Sequence, residues 1–502
     1  MEFPLQRNSI LKQFIFALIA VAIPSIKCYS DSSAHEVIVH VRQKVVSPFM
    51  GLGVQWDPYE YQPSSADWKV IQERMQYCKP GYLRVMWNAN SYCLGFRADG
   101  SPEYVWQKGY SVHRGELDKL CGILSFAEQQ HINVILGEWS PPVGLIKDET
   151  DPRWAKITAD LLSYLRKERG FTCIKFYNVI NEPNGSWSGN KDYQTWESVV
   201  KTLYQEFVRR GLNKKVLIIG PDTTGNTQWL EPFTWLDRAA NDLASQIGAW
   251  DLHWYALDPE VYDDEIEALL KLKKKMLGEH GRVVASKPLF IGESGLLTGK
   301  MNGDQQPRVK TFGYGVMMAD YVAQVARAGW MGATAWDLDD AMHTVGAYQV
   351  PPGPLTLKVW GFWNSQGAAM GNPSDFDVRP WFYTWSLMSR LFPRGCSILR
   401  TTEPDIDRFR AVASMDRRNS SQIISVMLVN DSNLPQSVVL KVPTLTSRVN
   451  LKMYRYFREQ HLHNSQGFPI PYSTLNSTVL SKGVKIDLPS RGVVFLTGTL
   501  AR

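Results

Sequence analysis

Two glutamates stand where short apolar segments of the chain end, about a hundred residues apart. Glu182 follows the apolar run 176–180, and Pro183 then breaks that run into a loop. Glu293 ends a second run of the same kind, 288–293. Two carboxyl groups roughly 5 Å apart can hydrolyse a glycosidic bond with retention, because one gives and then takes a proton while the other attacks the anomeric carbon. The pair therefore predicts a glycoside hydrolase.

The segments that end in these glutamates belong to a regular alternation of strand and helix patterns. Apolar, strand-like segments recur at 50–56, 81–87, 132–138, 173–181, 215–221, 248–255, 288–293 and 331–337. Helical periodicity lies between them; after Glu182, for example, one face carries Trp196, Val199, Val200, Leu203, Tyr204, Phe207 and Val208. The alternation predicts an α/β fold, a (β/α)₈ TIM barrel over residues 50–394. An open doubly wound sheet is the competing fold, but no glycine-rich phosphate loop follows the first strand.

The pattern changes after Pro393. Short β-rich runs such as 423–429 and 492–496 alternate with turns of Asn, Ser, Pro and Gly, and no long helical period continues. Residues 395–502 are therefore predicted to form a smaller all-β sandwich. Segment 31–49 contains an alternating strand pattern with no helix partner, so we expect its strand or strands to join that sandwich.

The N-terminal residues have the pattern of a secretory signal peptide, predicted over 1–30. Arg7 and Lys12 precede the apolar run 14–24, which is too short to span a bilayer as a transmembrane helix. Cys28 is a candidate for lipidation, although Lys27 occupies a position where a small residue is expected. These features predict a secreted or extracytoplasmic protein that could be surface-anchored. The formal net charge of +6 over 502 residues is too weak for a dedicated nucleic-acid binder.

Asn181 and Glu182 at the end of the fourth predicted barrel strand, with Glu293 at the end of the seventh, resemble the paired motif of clan A retaining glycoside hydrolases. That superfamily includes cellulases, mannanases, xylosidases and glucocerebrosidase, and the similarity extends to the C-terminal sandwich of several members. The resemblance implies that Glu182 is the acid/base and Glu293 the nucleophile. It also implies that Asn181 binds the sugar 2-hydroxyl and that no metal or organic cofactor is needed.

Five further positions are predicted to bind substrate or support the glutamates. By the same resemblance, Arg84 would lower the pKa of Glu293, and Tyr255 would donate a hydrogen bond to it. His253 would lie near the sugar or the acid, and Trp336 would form an aromatic platform beneath the sugar. Glu138 ends the third strand, so it is predicted to contact substrate, with a loop-ordering ion pair as the alternative.

The substrate is predicted to be a glycoside, oligosaccharide or polysaccharide with a β-glycosidic bond. Long loops at 88–113 and 338–380 favour a closed pocket over an open cleft, and hence an exo-acting enzyme. An endo-β-glycanase and a non-catalytic carbohydrate-binding barrel are the alternatives. The sequence leaves the sugar and the oligomeric state open.

Overall fold

The computed structural model describes residues 35–108, 115–188, 192–225, 231–345, 356–418 and 421–500. The predicted signal peptide and Cys28 lie outside these residues. Within the described ranges, no helix combines the length and the apolar character needed to cross a membrane. The cysteines within the described ranges, Cys78, Cys93, Cys121, Cys173 and Cys396, are buried and form no disulfide there.

The first domain of the fold is a closed parallel barrel, as predicted. The strands in chain order are β1 (His35–Val46), β2 (Gly53–Gln55), β3 (Tyr82–Trp87), β4 (Cys93–Phe96), β5 (Pro102–Tyr104), β6 (Asn133–Glu138), β7 (Ile174–Asn178), β8 (Leu217–Thr224), β9 (Ile247–Ala256), β10 (Leu289–Leu296) and β11 (Ala333–Ala335). The barrel order is β2, β3, β6, β7, β8, β9, β10, β11 and back to β2. Strands β4 and β5 form a hairpin after the second barrel strand, and β12 (Thr344–Val345) pairs with β13 (Thr356–Leu357) after the eighth.

Helices connect the barrel strands. They are α1 (Ser65–Cys78), α2 (Val105–Lys108), α3 (Glu116–Gln129), α4 (Pro152–Ser163), α5 (Tyr193–Arg210), α6 (Glu231–Asp242), α7 (Asp258–Tyr262), α8 (Glu265–Glu279), α9 (Arg282–Ala285), α10 (Phe312–Arg327) and α11 (Pro380–Leu391). Helix α5 begins where the Asp192 side chain accepts from the Thr195 backbone N–H at 2.8 Å, an N-cap bond. The face predicted for α5 is buried except at Tyr204, which is half-buried, and at Val208, which is 49% exposed.

Strand alternation decides which side chains enter the barrel. A small apolar cluster fills the lumen, formed by Tyr82, Ile135, Phe176, Ile219, Ala249 and Phe290. Residues two positions further along these strands also point inward, toward the carboxyl ends. Arg84, Asp251 and His253 therefore face the lumen, whereas their immediate neighbours pack against the helices.

The second domain is a nine-stranded, mostly antiparallel sheet folded over its own core, which confirms the predicted β-sandwich. Its remaining strands are β14 (Ser397–Thr402), β15 (Phe409–Arg418), β16 (Ser421–Asn430), β17 (Gln436–Lys441), β18 (Arg448–Tyr456), β19 (Ser473–Val479), β20 (Val484–Leu488) and β21 (Gly492–Leu500). The sheet order is β19, β18, β21, β16, β15, β14, β1, β17, β20. Strand β1 lies antiparallel to β14 and parallel to β17, and Val37 and Val39 enter the sandwich core.

Polar bonds join α10 of the barrel to the sandwich. Arg327 donates from Nη1 to the Ala411 carbonyl at 3.2 Å, and the Tyr456 hydroxyl donates to the Phe312 carbonyl at 3.0 Å. The sandwich thus supports the barrel through α10, the helix between the seventh and eighth barrel strands.

Candidate active site

Glu182 lies in the loop after β7 in a left-handed backbone conformation, with φ of 44°. This conformation is uncommon for residues other than glycine, so the surrounding loop must hold it. The Glu182 backbone N–H donates to the Asp222 carbonyl at 3.1 Å, and the Ser188 hydroxyl donates to the Glu182 carbonyl at 2.8 Å. These bonds fix the direction in which the Glu182 side chain leaves the backbone.

Glu293 approaches Glu182 from β10. One carboxylate oxygen of each glutamate and one nitrogen of His253 all lie within 4.8 Å of one another. Both glutamates are buried, with exposures of 7% for Glu182 and 3% for Glu293. A separation of this size matches the spacing at which a carboxylate attacks, and it is shorter than the spacing of roughly 6.5–9.5 Å that places an attacking water between the carboxyl group and the sugar.

Two donors hold the Glu293 carboxylate. Arg84 donates from Nη1 to Oε1 at 2.5 Å, and the Tyr255 hydroxyl donates to Oε2 at 2.5 Å. Burial nevertheless raises the pKa of Glu293 above its ordinary value; His253 and Arg84 lower that pKa without cancelling the effect of burial. Arg84 therefore contacts Glu293 as expected, but it limits the rise of the Glu293 pKa and does not bring that pKa below the ordinary value.

His253 bridges the acid/base candidate and a third carboxylate. Its Nδ1 lies 2.8 Å from Glu182 Oε1 and its Nε2 lies 3.0 Å from Asp222 Oδ1. Burial opposes a charge on this ring, but Asp222 and Glu293 outweigh burial, so the pKa of His253 lies well above its ordinary value. A raised pKa, with a carboxylate oxygen at each ring nitrogen, favours the imidazolium form, in which both nitrogens donate.

Asp222, at the carboxyl end of β8, joins the two halves of the site and was not among the predicted residues. Its Oδ2 accepts from Arg84 Nη2 at 2.9 Å and from Asn178 Nδ2 at 2.5 Å, while its Oδ1 accepts from His253. Burial opposes ionisation of Asp222, but Arg84 and His253 outweigh burial and lower its pKa below the ordinary value. A signal for Asp222 existed, because it directly follows the fifth predicted strand, 215–221.

Asn181 is fixed from the same side. Its Oδ1 accepts from Arg84 Nη2 at 2.7 Å, and its backbone N–H donates to the Glu138 carbonyl at 2.9 Å. Because the amide oxygen is bound by Arg84, the amide NH₂ is the group available for a sugar hydroxyl.

A cavity of about 380 Å³ opens over the two glutamates. Its lining is Trp139, Asn181, Glu182, Trp187, Tyr255, Glu293, Leu297, Lys300, Asp304, Trp336, Lys358 and Trp360. Trp336 stacks on His343, with ring centroids 5.5 Å apart and planes 11° apart, and Trp139 meets its edge at 5.9 Å. This cavity brings together five aromatic side chains and three charged side chains around the glutamates.

No protein-family model matches the sequence, and no curated protein matches it. Solved structures match over nearly their whole length. A GH30 endoxylanase from Clostridium papyrosolvens C71 is 13% identical, with a TM-score of 0.63 over 93% of this chain and 100% of that chain. A glucosidase from Croceicoccus marinus is 10% identical, with a TM-score of 0.62 over 93% and 100%. A GH51 α-L-arabinofuranosidase from Thermotoga petrophila RKU-1 is 12% identical, with a TM-score of 0.61 over 92% and 100%.

The chain has the fold of these glycoside hydrolases. The resemblance to the clan A enzymes, drawn from a few residues at strand ends, is confirmed as a likeness of fold. Within this glycoside hydrolase fold, the structure brings Glu182, Glu293, Asn181, Arg84 and Tyr255 together. His253 lies beneath the pair, and Trp336 lies in the wall of the cavity.

Glu138 is the predicted site residue that lies elsewhere. Its side chain points outward from β6, opposite to Ile135 and Gly137, into the layer between the barrel and α4. Four donors surround it there, from Tyr92, Tyr177, Thr158 and Trp154. Burial raises the pKa of Glu138 to about 7. Its position does not support the predicted contact with substrate, and its partners are neutral donors rather than the cation of an ion pair.

Two groups of side chains are close enough to be examined as metal ligands among the described residues. They are Glu182 with His253 and Glu293, and Asp222 with Asp251 and His253. His253 belongs to both, yet each of its nitrogens lies at hydrogen-bond distance from a carboxylate oxygen, and its raised pKa favours the doubly protonated ring. An imidazolium has no lone pair for a metal, so these contacts fit a proton-holding role better than coordination.

Proposed function

We propose that the protein is a retaining glycoside hydrolase that cleaves β-glycosidic bonds by double displacement. The observation that carries the proposal is the pair of buried glutamates whose carboxylate oxygens lie within 4.8 Å, one in the loop after the fourth barrel strand and one on the seventh strand. The fold of the similar glycoside hydrolases supports the same class of reaction. Carbohydrate is accordingly the proposed ligand of the cavity.

In the first step Glu182 gives its proton to the glycosidic oxygen while Glu293 Oε attacks the anomeric carbon. The bond to the leaving group breaks and a glycosyl ester forms on Glu293. In the second step Glu182, now a carboxylate, takes a proton from water as that water attacks the anomeric carbon and releases Glu293. Arg84 and Tyr255 stabilise the charge on Glu293 before attack and after release. Glu293 must be ionised to attack, so activity is expected to fall as the pH drops through its pKa. Because that pKa is raised, the fall is expected at a higher pH than the one at which an exposed glutamate titrates.

Trp336 and Asn181 have binding roles in this proposal. The flat indole face of Trp336 suits the C–H groups of a pyranose, and the Asn181 amide suits the 2-hydroxyl, a contact that strengthens at the transition state. Exo action is proposed from the sequence, because the long loops at 88–113 and 338–380 favour a pocket over an open cleft. Export by the N-terminal signal peptide is proposed from the sequence pattern, since that segment lies outside the described residues.

The test is hydrolysis of nitrophenyl glycosides by the wild type and by Glu293→Gln. The panel comprises the β-glucoside, β-galactoside, β-mannoside, β-xyloside, β-fucoside, β-glucuronide and α-L-arabinofuranoside. Loss of turnover by at least about 1,000-fold in the variant is expected, because the substitution removes the nucleophile. Wild-type rates in Glu293→Gln would contradict the assignment.

Polysaccharides separate the remaining alternatives. An endo-β-glycanase would shorten a polymer before any monosaccharide appears, and it would be inactive on the aryl glycosides if several subsites must be filled. A non-catalytic barrel would bind oligosaccharides and hydrolyse neither kind of substrate. The similar solved structures include an enzyme named as an endoxylanase, so the polymer assay is run in parallel.

A further inference from the structure

Two lysines in the wall of the cavity take no part in the hydrolysis described above. Lys300 lies in the loop after β10, and Lys358 lies directly after β13. Both ammonium groups are held by Asp304: Lys300 Nζ lies 2.8 Å from Oδ1, and Lys358 Nζ lies 3.1 Å from Oδ2. The indole N–H of Trp360 donates to Oδ1 of the same carboxylate at 3.1 Å. Asp304 thus fixes two cations side by side in one cavity wall.

The charge of this group is not balanced. Two ammonium groups face a single carboxylate, so the group formed by Lys300, Lys358 and Asp304 carries one net positive charge. The lysine side chains are 34% and 32% exposed, and each ammonium group has three N–H donors, of which Asp304 accepts one. Burial works against the charge on Lys358, but Asp304, followed by Asp337 and Glu293, outweighs burial, and the pKa of Lys358 lies above its ordinary value. Donors and charge therefore remain for a ligand.

The pair borders the place where a sugar would be cleaved. Lys358 Nζ lies 6.0 Å from the ring centroid of Trp336, the proposed platform. Lys300 Nζ lies 5.7 Å from the ring of Trp360, which in turn contacts Tyr255 at 5.4 Å. Since Tyr255 donates to Glu293, the lysine pair and the nucleophile border the same pocket.

We infer that the sugar bound at Trp336 carries a carboxylate, so that the substrates are glycosides of uronic acids, with Lys358 and Lys300 binding the carboxylate. This inference rests on the proposed function. A neutral sugar would offer hydroxyl groups alone, whereas a carboxylate would form charge-assisted hydrogen bonds and neutralise the net charge of the group formed by Lys300, Lys358 and Asp304. The lysines are not needed to hold either glutamate, which distinguishes them from Arg84.

The experiment compares substrates that differ in one group. The kcat/KM values for nitrophenyl β-D-glucuronide and β-D-glucoside are measured, and likewise those for the galacturonide and galactoside; each pair exchanges a carboxylate for a hydroxymethyl group. The uronide is expected to be preferred by roughly 10- to 100-fold, the range of one charge-assisted hydrogen bond. Lys358→Met should reduce this ratio at least tenfold, and Lys358→Arg should restore most of it. Lys310→Met is the matched control, because Lys310 pairs with Asp375 outside the cavity, and it should leave the ratio unchanged.

The outcomes separate this inference from the proposed function. One outcome is that the protein hydrolyses neutral glycosides, that Glu293→Gln abolishes this activity, and that uronides are not preferred. This outcome would support the proposed hydrolase function and overturn the inference that the substrate is acidic. Binding to the Glu293→Gln protein is measured by calorimetry with glucuronic acid and glucose, so the lysine pair is tested even without turnover. Equal affinity for the two sugars, or a preference for a 6-sulfated sugar over the uronic acid, would also overturn the inference. Absence of turnover on every glycoside and polymer would count against the proposed function itself.

Discussion

Replacing Asp222 by Asn would remove one buried negative charge while keeping the size of the side chain. The amide oxygen can still accept from Arg84 and Asn178, and the amide NH₂ then faces His253 Nε2. That arrangement requires Nε2 to be unprotonated, so the ring becomes neutral and its Nδ1–H continues to donate to Glu182. The variant therefore tests the charge on His253 without removing its hydrogen bond to the acid.

The magnitude follows from the spacing of the charges. Asp222 and His253 lie 3.0 Å apart, and unit charges at that distance attract by roughly 5 kcal/mol at an effective dielectric constant of about 20. If about half of this attraction stabilises the transition state and is lost in the variant, kcat/KM falls on the order of 100-fold, since each ~1.4 kcal/mol of activation free energy is a factor of ten in rate. The loss of the cation 3.4 Å from Glu293 also raises the pKa of that carboxyl, so the acidic limb of the profile moves to higher pH.

The assay is the pH dependence of kcat/KM on the fastest aryl glycoside, with thermal unfolding measured alongside. Asp251→Asn is the matched control. Burial and the neighbouring Asp222 raise the pKa of Asp251 well above its ordinary value, which favours the neutral acid, so its replacement by Asn is expected to change no charge. The control should keep the wild-type acidic limb. A wild-type profile in Asp222→Asn, or the same displacement in both variants, would refute the charge argument.

Three other substitutions have distinct expected results. Glu182→Gln should lose roughly 100- to 10,000-fold in kcat on substrates with poor leaving groups and much less on activated aryl glycosides, because only poor leaving groups need a proton from the acid. Equal losses on both kinds of substrate would contradict the acid/base role of Glu182. Trp336→Ala should raise KM by about 10-fold or more through lost stacking, and an unchanged KM would place the sugar elsewhere. Glu138→Gln should keep kcat/KM within tenfold, and its deficit in melting temperature should shrink as pH rises toward about 7. The deficit shrinks because a carboxyl whose pKa is raised by folding stabilises the folded state at low pH, and this contribution is lost as the pH rises to the folded-state pKa. A deficit in melting temperature that grows with pH would be inconsistent with a buried, protonated Glu138.

The barrel could be predicted from the sequence because its signals are local. Each buried strand is a short apolar run, and the amphipathic helices between them leave parallel pairing as the compatible arrangement. Glu182 and Glu293 follow from the same local rule, since each ends such a run. Asp222 satisfies the rule as well, and applying the rule to the fifth strand would have found it.

Other features of the site depend on which way a side chain faces and on contacts between distant segments of the chain. The direction of Glu138 follows from strand alternation, because Ile135 points into the lumen and a residue an odd number of positions away points out. The lysine pair required the fold itself, since Lys300 and Lys358 come from loops 58 positions apart in the sequence and meet at Asp304. The net rise of the Glu293 pKa likewise depends on burial, which outweighs the Arg84 contact seen in the motif.

The most direct test of the account is to trap the glycosyl-enzyme. A 2-deoxy-2-fluoro glycoside of the sugar that the enzyme hydrolyses is incubated with the wild type, and the digested protein is analysed by mass spectrometry. The account predicts time-dependent inactivation, with the fluorosugar attached to the peptide that contains Glu293 and to its carboxylate. Turnover with inversion at the anomeric carbon, or a label on any other residue, would contradict double displacement through Glu293.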